Sequence, residues 1–191
     1  YQITVYDADF TTASWLRNAV VYQIFPDRFR NGSSTAEPAT TDKSYDQTVL
    51  IQDWNEDLCD PRGTTCPNAY GNQFYGGDLQ GVIDELDYLQ SQGVTVIYLN
   101  PIFQSPSNHL YDTTNFKTID PYFGDLATFQ TLAAEVQARG MRLILDGVFN
   151  HTSSDSIYFD RYAQWAADGS STTPGTNDRS GACESTASGY R

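Results

Sequence analysis

Met141-Arg142-Leu143-Ile144-Leu145-Asp146-Gly147-Val148-Phe149-Asn150-His151 is a short apolar run that ends in a cluster of polar groups, and it decides the fold. A run of this length, entered directly from a helix-like segment that stops at Gly140, reads as a buried strand of a parallel sheet. Asp146, Asn150 and His151 then stand where the strand gives way to a loop, the edge at which parallel α/β folds bind ligands. The plainer reading also stands: Asp and Asn at strand ends close turns or cap helices.

Upstream, Asp125 to Arg139 sets Leu126, Phe129, Leu132, Ala133 and Val136 on one helical face, with Asp125 to cap it and Gly140 to end it. The same unit occurs once before. Asp78 to Gln92 places Leu79, Val82, Ile83, Leu86 and Leu89 at helical spacing, Gly93 closes the helix, and Val94 to Asn100 forms a strand stopped by Pro101. A β-branched and aromatic run from Val20 to Phe25, stopped by Pro26, is the first strand. Strand-helix-strand-helix-strand implies parallel crossovers, hence a doubly wound sheet or a (β/α)8 barrel.

Between these elements lie two irregular stretches. Residues 31–77 form a connection far longer than the usual few residues of a βα loop, so it should be functional or tied down. A polar loop runs from Pro101 through His109, Tyr111, Asp112 and Asp120 to Gly124. Tyr1 to Tyr6 alternate polar and apolar as a half-buried strand does, and with no Met at position 1 the chain reads as starting inside a larger protein. After His151 only Ile157 to Trp165 looks helical, and residues 166–191 read as loop.

Composition narrows the partners. Among 191 residues, 11 basic against 24 acidic side chains give a net charge of −13, which argues against nucleic acid and against an anionic membrane surface and suits a neutral ligand. No apolar run approaches the roughly 18 residues that span a bilayer. There is no G-x-G-x-x-G or G-K-[ST] turn for a nucleotide, and no G-x-S-x-G elbow. Cys59 and Cys66 lie in one polar loop; a local disulfide, two free thiols and a structural zinc are the alternatives, with the disulfide favoured because zinc lacks further ligands nearby. A disulfide and few lysines point to secretion, and Cys183 is left over.

Four stretches taken together resemble the α-amylase family of glycoside hydrolases: Val21-Tyr22-Gln23-Ile24-Phe25-Pro26-Asp27-Arg28-Phe29, Gly76-Gly77-Asp78-Leu79-Gln80-Gly81, His109-Leu110-Tyr111-Asp112-Thr113 and Asp146-Gly147-Val148-Phe149-Asn150-His151. They stand in that family's order and spacing over residues 15–160. The resemblance implies a (β/α)8 TIM barrel of which residues 13–151 supply about three βα units. Residues 152–191 would begin the domain inserted after strand three, and residues 1–12 would end a preceding segment, such as the β-sandwich of pullulan-cleaving members.

Residue by residue, the resemblance makes His151 a ligand for a sugar hydroxyl beside the scissile bond. It makes Tyr111 a platform for the same sugar ring, Asp112 a brace for that subsite, and Asp146 a support for the active site. Stacking on Tyr111 is chemically apt, since a pyranose offers a C–H face to an aromatic ring. Asn150 matches a calcium ligand between barrel and inserted domain. A second calcium site of the neopullulanase and cyclodextrin glucanotransferase branches aligns with Asn31, Ser33, Glu37, the Gly76 carbonyl and Asp78; Ser33 and Ala36 depart from that pattern, and the plain alternative is a polar loop beside a capped helix. The Cys59/Cys66 pair resembles a loop disulfide of the glucanotransferase branch.

Retaining glycoside hydrolysis needs two flanking carboxyl groups, and the family carries them on later strands. Asp155, Asp160, Asp168, Asp178 and Glu184 follow no strand, so none is assigned as catalytic. The expectation is one piece of a longer α-glucan hydrolase acting on starch, maltodextrin or pullulan, ending at Arg191 where trypsin-like proteases cut, with its acids beyond that residue and its partners the missing strands and the glucan. The alternative is an amylase-like protein that binds without catalysis.

Overall fold

The computed structural model describes residues 3–158 apart from 33–36, 40–41, 45–46, 64–65, 67–69, 155 and 157. Ser33, Cys183 and nearly all of the expected inserted domain, including the helical stretch from Ile157, lie outside the described residues. In chain order the elements are β1 (Val21–Ile24), β2 (Lys43–Ser44), β3 (Gln47–Thr48), β4 (Leu50–Ile51), β5 (Gln73–Phe74), α1 (Leu79–Asp84), α2 (Leu86–Ser91), β6 (Val96–Leu99), β7 (Phe103–Gln104), β8 (Asn115–Ile119), α3 (Leu126–Ala138) and β9 (Arg142–Leu145).

The principal sheet is parallel with order β1-β6-β9, pairing Val21 with Val96 and Val96 with Arg142 in register. Each crossover helix starts and stops by the chemistry its sequence carries. Asp78 Oδ1 accepts from Gly81 N–H at 2.6 Å, and Asp125 Oδ1 accepts from Thr128 N–H at 2.8 Å, so each caps its helix. At the far ends, Gly93 (φ 81°) and Gly140 (φ 72°) take the left-handed conformation. Val94 N–H then reaches Leu89 O at 3.2 Å and Met141 N–H reaches Val136 O at 3.1 Å, the Schellman pairing that satisfies the last carbonyls and turns the chain into the next strand.

Ile24, Leu79, Val82, Leu86, Leu89, Ile97, Leu99, Leu132 and Val136 fill the space between sheet and helices, all with exposure near zero. Burying each Leu, Ile or Val contributes roughly 1.5–3 kcal/mol. The turn after β1 lies directly on α1: a Cβ on Gly81 would stand 1.9 Å from the Arg30 carbonyl oxygen, so only glycine permits this approach. Asp27 secures the same junction, since its Oδ1 accepts from Tyr75 N–H at 3.1 Å and Gly76 N–H at 3.2 Å.

Four features differ from the sequence reading. The Met141 strand is not buried: β6 is the buried central strand, whereas β9 is an edge on which Arg142 and Leu145 are exposed, because a strand is covered only when it has neighbours on both sides. Residues 3–6 form no strand, and Ile3 and Val5 are exposed, since among the described residues no strand pairs with them. The helix expected over 78–92 is interrupted at Glu85 (φ −100°, ψ 7°). Both long loops contain short strands: β2 pairs antiparallel with β3, β4 parallel with β5, and β7 antiparallel with β8. Phase-two alternation in so few residues is too weak to read from sequence.

Cys59 and Cys66 are joined by a disulfide with a Cα–Cα distance of 5.7 Å. The buried Gln73 side chain holds that loop to β5, donating to Cys59 O at 2.6 Å and accepting from Cys59 N–H at 2.9 Å.

Candidate active site

Beyond the carboxyl ends of β6 and β9, three segments meet. Asp146 follows β9 directly, its N–H bonded to Leu99 O at 3.1 Å, which fixes its place beside β6. Tyr111, from the loop after β6, donates its phenol to Asp146 Oδ2 at 2.8 Å, and Tyr98 of β6 also bonds the Asp146 carboxylate. Burial and then this carboxylate push the Tyr111 phenol up to about 12, so it stays a proton donor to Asp146 at neutral pH. His151 Nε2 lies 3.0 Å from the Tyr111 carbonyl oxygen. A carbonyl only accepts, so the bond requires the Nε2–H tautomer, which leaves Nδ1 facing Asn150 Nδ2 at 3.4 Å.

The loop is shaped by Leu110, which takes a positive φ of 58° and is nevertheless buried. That conformation costs of order 1 kcal/mol for a residue with a Cβ, a cost offset by burying the side chain. The turn lets Tyr111 N–H donate to His109 Nδ1 at 3.1 Å and sets the two rings 6.1 Å apart. On the far side, Thr113 O accepts from Ser153 N–H at 2.9 Å and from Thr152 Oγ1 at 2.7 Å, stitching the residues after His151 to the Tyr111 loop.

Asp112 points into a hydroxyl pair: its Oδ1 accepts from Ser105 Oγ at 2.5 Å and from Ser107 Oγ, with His109 Nδ1 3.8 Å away. Ser105 N–H in turn donates to Asp120 Oδ2 at 3.1 Å. Asp120 is buried, and desolvation pushes it up to about 7, the nearby Asp112 and Asp27 charges adding to the effect and the Tyr122 and Ser105 amides opposing it. Asp27 is raised to about 6, again chiefly by burial, against the opposing charge of Arg28. Ser105, Ser107 and Asp120 carry no signal of their own in the sequence; only the folded loop gives them a role as braces.

The candidate metal residues fall in two places. Asn31, Glu37 and Gly76 converge: Asn31 Nδ2 donates to Glu37 Oε1 at 3.0 Å, and a Cβ on Gly76 (φ 76°) would meet Glu37 Oε2 at 2.9 Å. Asp78 flanks Asn31, donating its N–H to Arg30 O at 3.0 Å and accepting from Gly32 N–H at 3.0 Å. Among the described residues no three His, Cys, Asp or Glu side chains converge, so an ion here would draw on amide and carbonyl oxygens as well as carboxylate. That donor set fits a hard, oxygen-preferring cation such as calcium. Asn150 is exposed and stands beside His151, apart from the first group.

The profile of the "Alpha amylase, catalytic domain" family matches residues 23–173. An amylopullulanase from Thermoanaerobacter thermohydrosulfuricus is 49% identical over 171 residues, covering 86% of this chain and 12% of that protein. Neopullulanase 2 from Thermoactinomyces vulgaris is 44% identical over 165 residues, covering 82% of this chain and 25% of that protein. The solved structure of the type III pullulan hydrolase from Thermococcus kodakarensis superposes with a TM-score of 0.68 at 33% identity, over 82% of this chain and 27% of that one. The chain thus spans a quarter or less of the length of these two sequence relatives.

Proposed function

The chain belongs to the α-amylase catalytic-domain family, and from that premise we propose that it supplies the sugar-gripping rim of an enzyme hydrolysing α-glucans such as starch, maltodextrin or pullulan. The observation that carries this reading is the Tyr111–Asp146–His151 group at the carboxyl edge of the parallel sheet. Tyr111 presents a ring face to a pyranose, while Asp146 fixes that ring by its phenol. His151, held by the Tyr111 carbonyl, offers a polar ring edge to a sugar hydroxyl. Asp112, pinned by Ser105 and Ser107, keeps the rim's shape.

In this reading cleavage proceeds with retention, through an acid and a nucleophile carried by strands beyond residue 191. The low coverage of the relatives supports a longer protein, as do β1 and β9, each paired on one side only among the described residues and leaving Val21, Tyr22 and Leu145 exposed, edges that further strands of a (β/α)8 barrel would cover. Calcium bound by Asn31, Ser33, Glu37, Gly76 and Asp78 would neutralise the Glu37 carboxylate and lock the first loop; Asn150 would serve a second ion. The Cys59–Cys66 disulfide supports an oxidising, extracellular setting.

The test is product analysis with the complete protein on starch, maltoheptaose and pullulan. New reducing ends that appear first as the α-anomer by proton NMR are the expected result. Absence of cleavage on all three substrates, with the protein folded, overturns the hydrolase reading and leaves a binding protein.

A further inference from the structure

Asn108 stands shortly before Tyr111 in the chain and is buried, with 3% of its surface exposed. Its carboxamide donates twice, from Nδ2 to Gln73 O at 2.6 Å and to Tyr70 O at 2.8 Å, while its backbone N–H donates to Gly71 O at 2.8 Å. Both side-chain partners are carbonyls, which only accept, so both hydrogens of the amide nitrogen are committed. The receiving segment is firm. Gln73 O also accepts from Arg28 Nη2 at 2.8 Å, and the Gln73 side chain accepts from Gln52 Nε2 at 3.1 Å besides holding Cys59 of the disulfide. Next to it, Asn72 Nδ2 donates to Ser44 O at 3.0 Å.

On its other side Asn108 leads directly into the candidate active site. Leu110 N–H returns to Ser107 O at 3.4 Å, Tyr111 N–H to His109 Nδ1 at 3.1 Å and Thr113 Oγ1 to Leu110 O at 3.1 Å, so residues 107–113 form a tight turn with little slack to absorb a shift at Asn108. Tyr111 is therefore held from two directions. Asp146 and His151 tie its phenol and its carbonyl to the segment that follows β9, and Asn108 ties its loop to residues 70–73. The first attachment alone leaves the loop able to pivot about the Tyr111–Asp146 bond; the second removes that freedom. Resting on the reading proposed above, we infer that Asn108 is a positioning residue for glucan hydrolysis: without touching the sugar, it fixes the angle at which the Tyr111 ring meets it. A contact group held in its productive orientation spares the reaction the cost of ordering it.

The experiment is a double-mutant cycle in the complete protein, with kcat/KM on maltoheptaose measured for the wild type, Asn108→Ala, Tyr111→Ala and the double variant. Asn108→Ala alone should lower the value roughly ten- to a hundredfold, the scale of a small misplacement of a positioned group. In the Tyr111→Ala background, where no ring remains to be oriented, the same substitution should change it by no more than about twofold, the ordinary scatter of independent sites. A merely structural Asn108 would lower the folded fraction and cost the same factor in both backgrounds. Factors within threefold of each other, or no loss in the first background, overturn the positioning role; a larger difference upholds it. If Asn108→Ala does not fold, Asn108→Asp, which keeps the shape and loses the amide donors, takes its place in the cycle under the same criterion. A wild type that does not cleave maltoheptaose defeats the hydrolase reading alone, and the cycle is then read in the dissociation constant of maltoheptaose by calorimetry. A wild type that does not bind it either overturns the positioning role as well.

Discussion

The Tyr111 phenol donates to the Asp146 carboxylate at 2.8 Å, joining the loop after β6 to the residue that ends β9. Thirty-five positions separate them in sequence. The bond makes the sugar platform and the strand end one rigid unit. It also separates two contributions that can be removed one at a time.

Tyr111→Phe keeps the ring and loses the bond to Asp146, so in the complete enzyme kcat/KM on maltoheptaose should fall by about 1.5–3 kcal/mol, the range for a hydrogen bond to a charged group. Tyr111→Ala loses the ring face as well and should cost more. Steady-state kinetics on the two variants gives the order. If the Phe variant is as impaired as the Ala variant, the ring contributes nothing and the stacking role is lost.

His151→Ala removes one polar ring edge at the same rim. The transition state should be weakened by roughly 2–4 kcal/mol, or about thirty- to a thousandfold in kcat/KM. The structure adds that His151 also anchors the Tyr111 carbonyl through Nε2–H. His151→Gln, which can still donate to that carbonyl, should recover part of the loss; unchanged turnover in the Ala variant contradicts the assigned role.

Asp120 gives a pH dependence with a defined sign. Its folded pKa is about 7, above the roughly 3.9 of an unfolded aspartate, so between these values the folded state holds the extra proton. Stability from this group is present at low pH and is lost as pH rises toward 7. Asp120→Asn lacks the titration, and its amide loses one acceptor for Ser105 N–H, so the variant should melt lower at pH 4.5 and close part of that gap by pH 7.5. Melting curves that keep a constant gap across that range contradict a buried, proton-holding Asp120.

Glu37 faces Asn31 and Gly76, and if an ion sits there its removal should be visible in stability. At a calcium concentration a hundredfold above its dissociation constant, the ion contributes about 2.7 kcal/mol. Chelation should therefore lower the melting temperature of the wild-type enzyme, and Glu37→Ala should abolish most of that response. A response of equal size in the variant assigns any calcium effect to other residues.

Gly81→Ala sets two effects against each other. Ala is favoured over Gly inside a helix by about 0.8–1 kcal/mol, yet its Cβ would press on the Arg30 carbonyl oxygen, a backbone atom that cannot swing aside. Overpacking costs roughly 1–3 kcal/mol, so the variant should be destabilised. Denaturant unfolding checks the sign.

The sequence by itself determined the repeated unit. Asp78 and Asp125 announce helix starts, Gly93 and Gly140 announce their ends, and the apolar runs that follow pair as parallel neighbours, because caps, left-handed glycines and hydrophobic spacing are local chemistry. It also carried the four motifs that led to the α-amylase family, and the disulfide pairing it favoured is the one formed. Tertiary structure decided which strand is buried, since coverage of β6 and exposure of β9 depend on what lies on each side of them. It alone revealed Ser105 and Ser107 bracing Asp112, Gln73 holding the disulfide loop, and Asn108 tying the Tyr111 loop to Gln73. Those relationships link residues with no shared periodicity, and they exist only once loops far apart along the chain are packed against one another.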